Sequence, residues 1–258
     1  MLSKNQIKFI RSLEQKKFRK ETGLFVAEGK KIVNEILHSE LKIHSLFAIS
    51  DFVPDWIGDQ ISSPTGSGIR FQISEVDEKE LEKISFLTTP NEVLCIAEIP
   101  QYEINYKNIS EKISIYLDGI RDPGNMGNII RIADWFGIST VFCSPECADA
   151  YNPKVVQATM GSIARVKIYH ANDKIIQTMR AYANYPIYAT TLNGKNIYKE
   201  ESPEMGLIVF GNESEGISKE ILELSTHKIS IPRFGKAESL NVASSAAIVC
   251  SEFMGRKQ

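Results

Sequence analysis

The chain has 258 residues, 43% of them hydrophobic and 24% charged, with 30 Lys+Arg against 32 Asp+Glu and a formal charge of -2. That apolar fraction can bury a core, which excludes a disordered chain and predicts one or two domains, while the near-neutral total excludes a uniformly basic nucleic-acid binder. No apolar run reaches the roughly 18 residues of a membrane helix, and the charged N-terminus lacks the apolar region of a secretory signal, so no membrane association and a cytoplasmic location are expected.

In chain order, Ile7, Ile10 and Leu13, then Val26, Ile32, Val33, Ile36 and Leu37, recur at helical spacing. Short β-rich runs follow at 45–50, 69–74 and 92–99. Residues 1–100 therefore read as a small α/β domain. Its first 31 residues hold Lys4, Lys8, Arg11, Lys16, Lys17, Arg19, Lys20, Lys30 and Lys31 against Glu14, Glu21 and Glu28, a local +6. Such a run is ordinarily a solvated helix face, but it is also the form a docking site for phosphates takes. The polar segment 101–112, preceded by Pro100, reads as a linker.

From Ile113 the rhythm is regular. Strands are predicted at 113–118, 139–144, 186–191, 207–211 and 227–232, with helices at 126–136, 153–161, 172–184, 217–224 and about 240–253. Strands alternating with helices predict βαβ units and a mostly parallel sheet in a domain spanning 113–258. In such sheets ligands collect at the carboxyl ends of the strands. Cys95, Cys143, Cys147 and Cys250 lie scattered in apolar stretches, which predicts buried thiols, no disulfide scaffold and no metal site.

Three segments sit at predicted strand ends. Residues 117–137, LDGIRDPGNMGNIIRIADWFG, run from a strand through a Gly/Pro turn into a helix, and they place Asn125 and Arg131 six residues apart. Residues 207–218, LIVFGNESEGIS, carry Gly211 and the carboxylate of Glu213 past a short apolar strand, with Ser218 or Glu215 available as a helix cap. Residues 229–253 contain Pro232 and Gly235, then Ser239 and Asn241 at a helix entrance, where Ser239 suits an N-cap. Neither a GxGxxG nor a Walker loop is present, which argues against a nucleotide-dependent oxidoreductase.

Taken together, these three segments resemble the motifs of the SpoU (TrmH) family of RNA ribose 2'-O-methyltransferases. The opening QIKFIRSLEQKKFRKETGLFVAEGKKIVNEIL is similar to the ribosomal-protein-like substrate-binding domain of many members. The resemblance implies an α/β fold of SPOUT type, its C-terminal sheet closed by a deep trefoil knot. It implies S-adenosylmethionine as cofactor and a homodimer with residues of both subunits near the active site. By position it assigns Asn125, Arg131, Glu213, Ser239 and Asn241 to catalysis, with Glu213 positioning Arg131. Cofactor contacts fall to Gly211, Ile231 and Leu240, with Leu192, Asn193 and Gly194 of a TLNG turn closing the pocket. The partner implied is RNA and not DNA, with large-subunit ribosomal RNA favoured over tRNA because of the separate N-terminal domain. Lys16, Lys17, Arg19, Lys20 and Lys30 are its expected first contacts. A tRNA methyltransferase and a non-catalytic RNA- or ribosome-binding factor that keeps the fold are the alternatives.

Overall fold

The computed structural model describes residues 1–49, 71–182 and 184–255. The chain forms two compact units, Met1–Gln101 with Tyr151–Ala164, and Tyr102–Ala150 with Arg165–Gln258.

In the first unit α1 (Lys4–Ser12) begins at a reciprocal cap, Ser3 Oγ accepting from the Gln6 amide and Gln6 Oε1 from the Ser3 amide. After it come α2 (Lys16–Thr22), β1 (Leu24–Glu28), α3 (Lys30–Leu37), β2 (Ile43–Ala48), β3 (Gln72–Glu75), α4 (Glu78–Ile84) and β4 (Val93–Glu98). Their sheet has the order β1-β4-β2-β3, antiparallel except for the β2–β3 pair. Val26, assigned above to a helical spacing, lies in β1. Every residue of that strand is buried, so it shows no alternation for a strand reading to detect. Of the predicted strands, residues 50 and 69–70 lie outside the described residues.

The second unit contains α5 (Tyr106–Ser110), β5 (Ile113–Asp118), α6 (Pro123–Trp135) and β6 (Thr140–Cys143). Beyond the segment that belongs to the first unit it continues through β7 (Lys167–His170), α8 (Asp173–Ala181), β8 (Ile187–Asn196), β9 (Gly206–Gly211), α9 (Lys219–Leu224), β10 (His227–Ser230) and α10 (Val242–Gly255). Six strands lie in the order β10-β8-β9-β5-β6-β7, every neighbouring pair parallel. The expected α/β class with a mostly parallel sheet is therefore observed. β7, a four-residue edge strand with two exposed ends, carries too short a pattern to be predicted. Among the described residues no helix is long and apolar enough to cross a membrane.

Residues 151–164 leave the second half of the sequence to complete the first unit. Their helix α7 (Pro153–Thr159) is capped by Asn152, whose Oδ1 accepts from the Lys154 amide at 2.9 Å. Val155 and Val156 are buried, and the Tyr151 ring centroid stands 5.1 Å from that of Phe25 in β1.

Candidate active site

Because all six strands of the second unit run the same way, β5, β8, β9 and β10 deliver their following segments to one edge of the sheet. Asp118 and Gly211, the last residues of β5 and β9, are register partners. Asp118 Oδ2 accepts from the Ser218 amide at 2.7 Å, and Asn212 Nδ2 donates to the Gly119 carbonyl at 2.8 Å. Asn212 Oδ1 in turn accepts from the amides of Ser214 (2.8 Å) and Glu215 (3.1 Å), which folds the loop after β9 onto itself. A Cβ on Gly211 would stand 2.4 Å from the carbonyl carbon of Gly216, so this turn requires glycine.

Asn125, on the first turn of α6, is the meeting point of the three segments. Its Nδ2 donates to Glu213 Oε1 at 2.6 Å, and its Oδ1 accepts from Asn241 Nδ2 at 2.9 Å. Asn241 Oδ1 accepts from the Ala243 and Ser244 amides at 2.9 and 3.3 Å. Asn241, and not Ser239, therefore caps α10. Three of the five side chains assigned to catalysis thus form one hydrogen-bonded chain.

The other two are placed differently. Arg131 lies two turns further along α6, exposed, with no hydrogen bond or ion pair among the described residues. Within one chain the Glu213 carboxylate accepts from Asn125, and the expected pairing of Glu213 with Arg131 is not seen there among the described residues. Ser239 is exposed in the loop between β10 and α10.

The predicted TLNG turn is an excursion within β8. Lys228 of β10 pairs with Ala189 while its neighbour Ile229 pairs with Lys195, so residues 190–194 leave the ladder. Gly194 passes so close to β10 that a Cβ would meet the Ile229 backbone at 2.4 Å, and Ser230 Oγ donates to its carbonyl at 2.8 Å. Leu192 is 78% exposed, Asn193 is exposed, and Leu240 beyond β10 is 51% exposed. Ile231, just past β10, is half-buried. Thr191 Oγ1 is buried with no hydrogen-bond partner among the described residues. Exposed apolar side chains at strand ends suit the apolar part of a ligand.

Sequence reasoning missed the support beneath this edge. Ser144 Oγ accepts from the Gly119 amide at 3.0 Å, the Ala148 amide donates to the Ile120 carbonyl at 2.8 Å, and Cys147 Sγ as a thiol donates to the Leu117 carbonyl at 3.1 Å. Hydrogen bonds from Cys143, and beyond it from Ser144 and the Ile120 and Gly119 amides, pull the Cys147 pKa down to about 7 against the opposing effect of burial. Asn212 and Asp118 were also legible as polar residues at strand ends, but nothing in the sequence says which backbone groups they reach.

In the first unit, Lys16, Lys17, Lys20 and Lys30 are exposed, with Lys17 paired to Glu21 and Lys30 to Glu92. Arg19 is the exception and corrects the expectation of an RNA contact. It is 1% exposed, and its Nη1 donates to the carbonyls of Leu13 and Glu14 at 2.8 and 2.7 Å, where it satisfies chain ends left by α1. A cavity of about 290 Å³ lies in the same unit, between β1 and α7, lined by Val26, Glu28, Phe86, Leu87, Lys154 and Gln157 among others.

A parallel α/β sheet whose strand-end loops converge on Asn125 is the arrangement in which such folds bind ligands. The sequence profile of the SpoU rRNA Methylase family matches residues 112–251, and the chain belongs to that family. Residues 4–95 match the MRM3-like substrate binding domain. The chain is 28% identical to the 23S rRNA (guanosine(2553)-2'-O)-methyltransferase RlmP of Bacillus subtilis (strain 168), over 98% of each chain. Its structure is similar to that of a putative RNA methyltransferase of the TrmH family from Porphyromonas gingivalis, with a TM-score of 0.88, 35% identity and 99% of each chain covered. It is also similar to the AdoMet-bound rRNA methyltransferase from Sinorhizobium meliloti, with a TM-score of 0.85, 29% identity and coverage of 100% of this chain and 98% of that one.

Proposed function

We propose that this protein transfers a methyl group from S-adenosylmethionine to a ribose 2'-oxygen of large-subunit ribosomal RNA, working as a cytoplasmic homodimer with a knotted catalytic unit. The carrying observation is the chain Glu213–Asn125–Asn241, which ties all three family segments at one sheet edge. The full-length similarity to RlmP and the match to a substrate-binding domain support ribosomal RNA over tRNA.

The residues fit the cofactor. Leu192, Ile231 and Leu240 would cover its apolar parts, Gly194 and Gly211 let backbone approach it, and Thr191 and Asn193 offer polar contacts. The cofactor supplies a methyl group already activated by the sulfonium charge, so no metal is required of the protein. What remains is to align the 2'-hydroxyl and handle its proton and charge. Asn125 has both ends of its amide engaged and so holds Glu213 and Asn241 in fixed positions, while Asn241 and Ser239 would orient the ribose. Arginine stays protonated in proteins and is a poor proton acceptor. Arg131 therefore acts as a cation that stabilises the developing alkoxide. Since Arg131 is exposed and makes no hydrogen bond or ion pair among the described residues, we assign it to the site of a second copy.

Arg131→Ala is expected to reduce methyl transfer at least about 100-fold with cofactor affinity retained. Asn125→Ala should be similarly impaired. Mixing the two inactive variants should restore activity, because a mixed dimer contains one site with Asn125 from one chain and Arg131 from the other. Near-wild-type activity of Arg131→Ala would overturn the catalytic assignment, and failure to complement would overturn action across the dimer. Mapping 2'-O-methyl groups in ribosomal RNA from a deletion strain identifies the nucleotide.

A further inference from the structure

We infer that Arg121 is a phosphate clamp for the substrate RNA, held ready by Glu215 until the RNA arrives. This rests on the ribose-methylating function proposed above.

Arg121 lies in the loop between β5 and α6, and Glu215 in the loop after β9. The guanidinium presents a parallel fork to the carboxylate, Nη1 to Oε1 and Nη2 to Oε2, both at 3.3 Å. Both side chains are well exposed, 58% for Arg121 and 66% for Glu215. Their backbones are fixed. Ile120, before Arg121, accepts from Ala148, and Asp122, after it, caps α6 through the Asn125 amide at 2.7 Å. The Glu215 amide is bound by Asn212. The fork is thus pre-positioned four residues from Asn125, while the contact that occupies it is long and solvent-screened.

Such a pair is weak and opens at little cost. A carboxylate held by the paired N–H groups of an arginine occupies the place a phosphate takes, and phosphate makes the same bidentate contact. Every ribose 2'-hydroxyl is flanked by its own 3'-phosphodiester, so a substrate seated at Asn125 necessarily brings an anion beside the reacting oxygen. Glu215 serves as the stand-in that keeps the guanidinium aimed and gives way to the phosphate. Arg131 then remains for the 2'-oxygen, and the two arginines divide the work.

The test is a pair of variants that a mere structural tie cannot separate. The full chain would be assayed with unmethylated large-subunit ribosomal RNA transcribed in vitro, for binding at several salt concentrations and for steady-state methyl transfer. Arg121→Ala is expected to weaken RNA binding roughly ten-fold, raise KM more than it lowers kcat, and reduce the salt slope by about one. Arg121→Lys should recover part of the affinity as a point charge. Glu215→Gln should act in the opposite direction, tightening RNA binding about two- to five-fold because the competing anion is gone. If both variants weaken binding alike, the pair is only a loop tie and the inference fails. If neither changes RNA affinity, it fails as well. A wild-type chain that neither binds nor methylates this RNA would sink the proposed function itself, an outcome distinct from the other two.

Discussion

Glu28 closes β1 with its side chain only 4% exposed. Oε2 accepts from Ser85 Oγ at 2.6 Å and Oε1 from the Phe86 amide at 2.7 Å. Burial raises its pKa above the ordinary 4.5, and these hydrogen bonds and the Arg11 guanidinium offset only part of the rise. A folded-state pKa above the unfolded one means the native state holds the proton more tightly. The corresponding stability is present below the ordinary glutamate value and is lost as pH climbs through the elevated one. Glu28→Gln keeps the shape and removes the charge. Urea unfolding should therefore show wild type most favoured relative to the variant below about pH 4.5 and losing ground to it as pH rises above that value. A wild-type-minus-variant difference that is flat in pH would contradict the burial argument. Ser85 and Glu28 are 57 residues apart, so their pairing was invisible in the sequence.

Elements show the same distinction between what is local and what is not. Periodicity found five of the six strands of the second unit, missing the short β7, because βαβ units repeat a plain strand–helix alternation, but it placed Val26 on a helix since β1 is buried throughout. It found a helix at 153–161, observed as α7, yet gave no hint that this helix packs on β1. Tyr151, 4% exposed and packed against Phe25, is the aromatic part of that attachment. Tyr151→Ala should cost about 3 kcal/mol or more through the cavity it leaves. Hydrogen exchange should locate the loss in β1 and α3 while β5 and β9 keep their protection. Equal loss in β5 would mean that residues 151–164 stabilise the second unit instead.

For the whole molecule the charge of -2 conceals a sorted distribution. The basic N-terminal run has one buried arginine and a set of exposed lysines. Changing Lys16, Lys17 and Lys20 together to Gln should weaken RNA binding and flatten its salt dependence by up to about three in slope, with cofactor affinity unchanged. Arg19→Gln should instead lower stability by about 1–3 kcal/mol, because the Leu13 and Glu14 carbonyls lose charged donors inside the protein. Thermal unfolding and filter binding on both variants separate these effects, and a folded, stable Arg19→Gln protein with weakened RNA binding would restore that residue to the interface.

The sequence by itself determined the parallel α/β class, the placement of three chemistry-bearing segments at strand ends, and the family, since strand–helix alternation and motif spacing are local properties of the chain. Only the tertiary structure decided that Asn125 holds Glu213 and Asn241, that Asn241 caps α10, that Arg131 is exposed and Arg19 buried, and that residues 151–164 complete the first unit. The reason is physical. The Asn125 contacts join residues 88 and 116 positions apart, and which donor meets which acceptor at that range is set by sheet register and loop closure, to which helical and strand periods are blind.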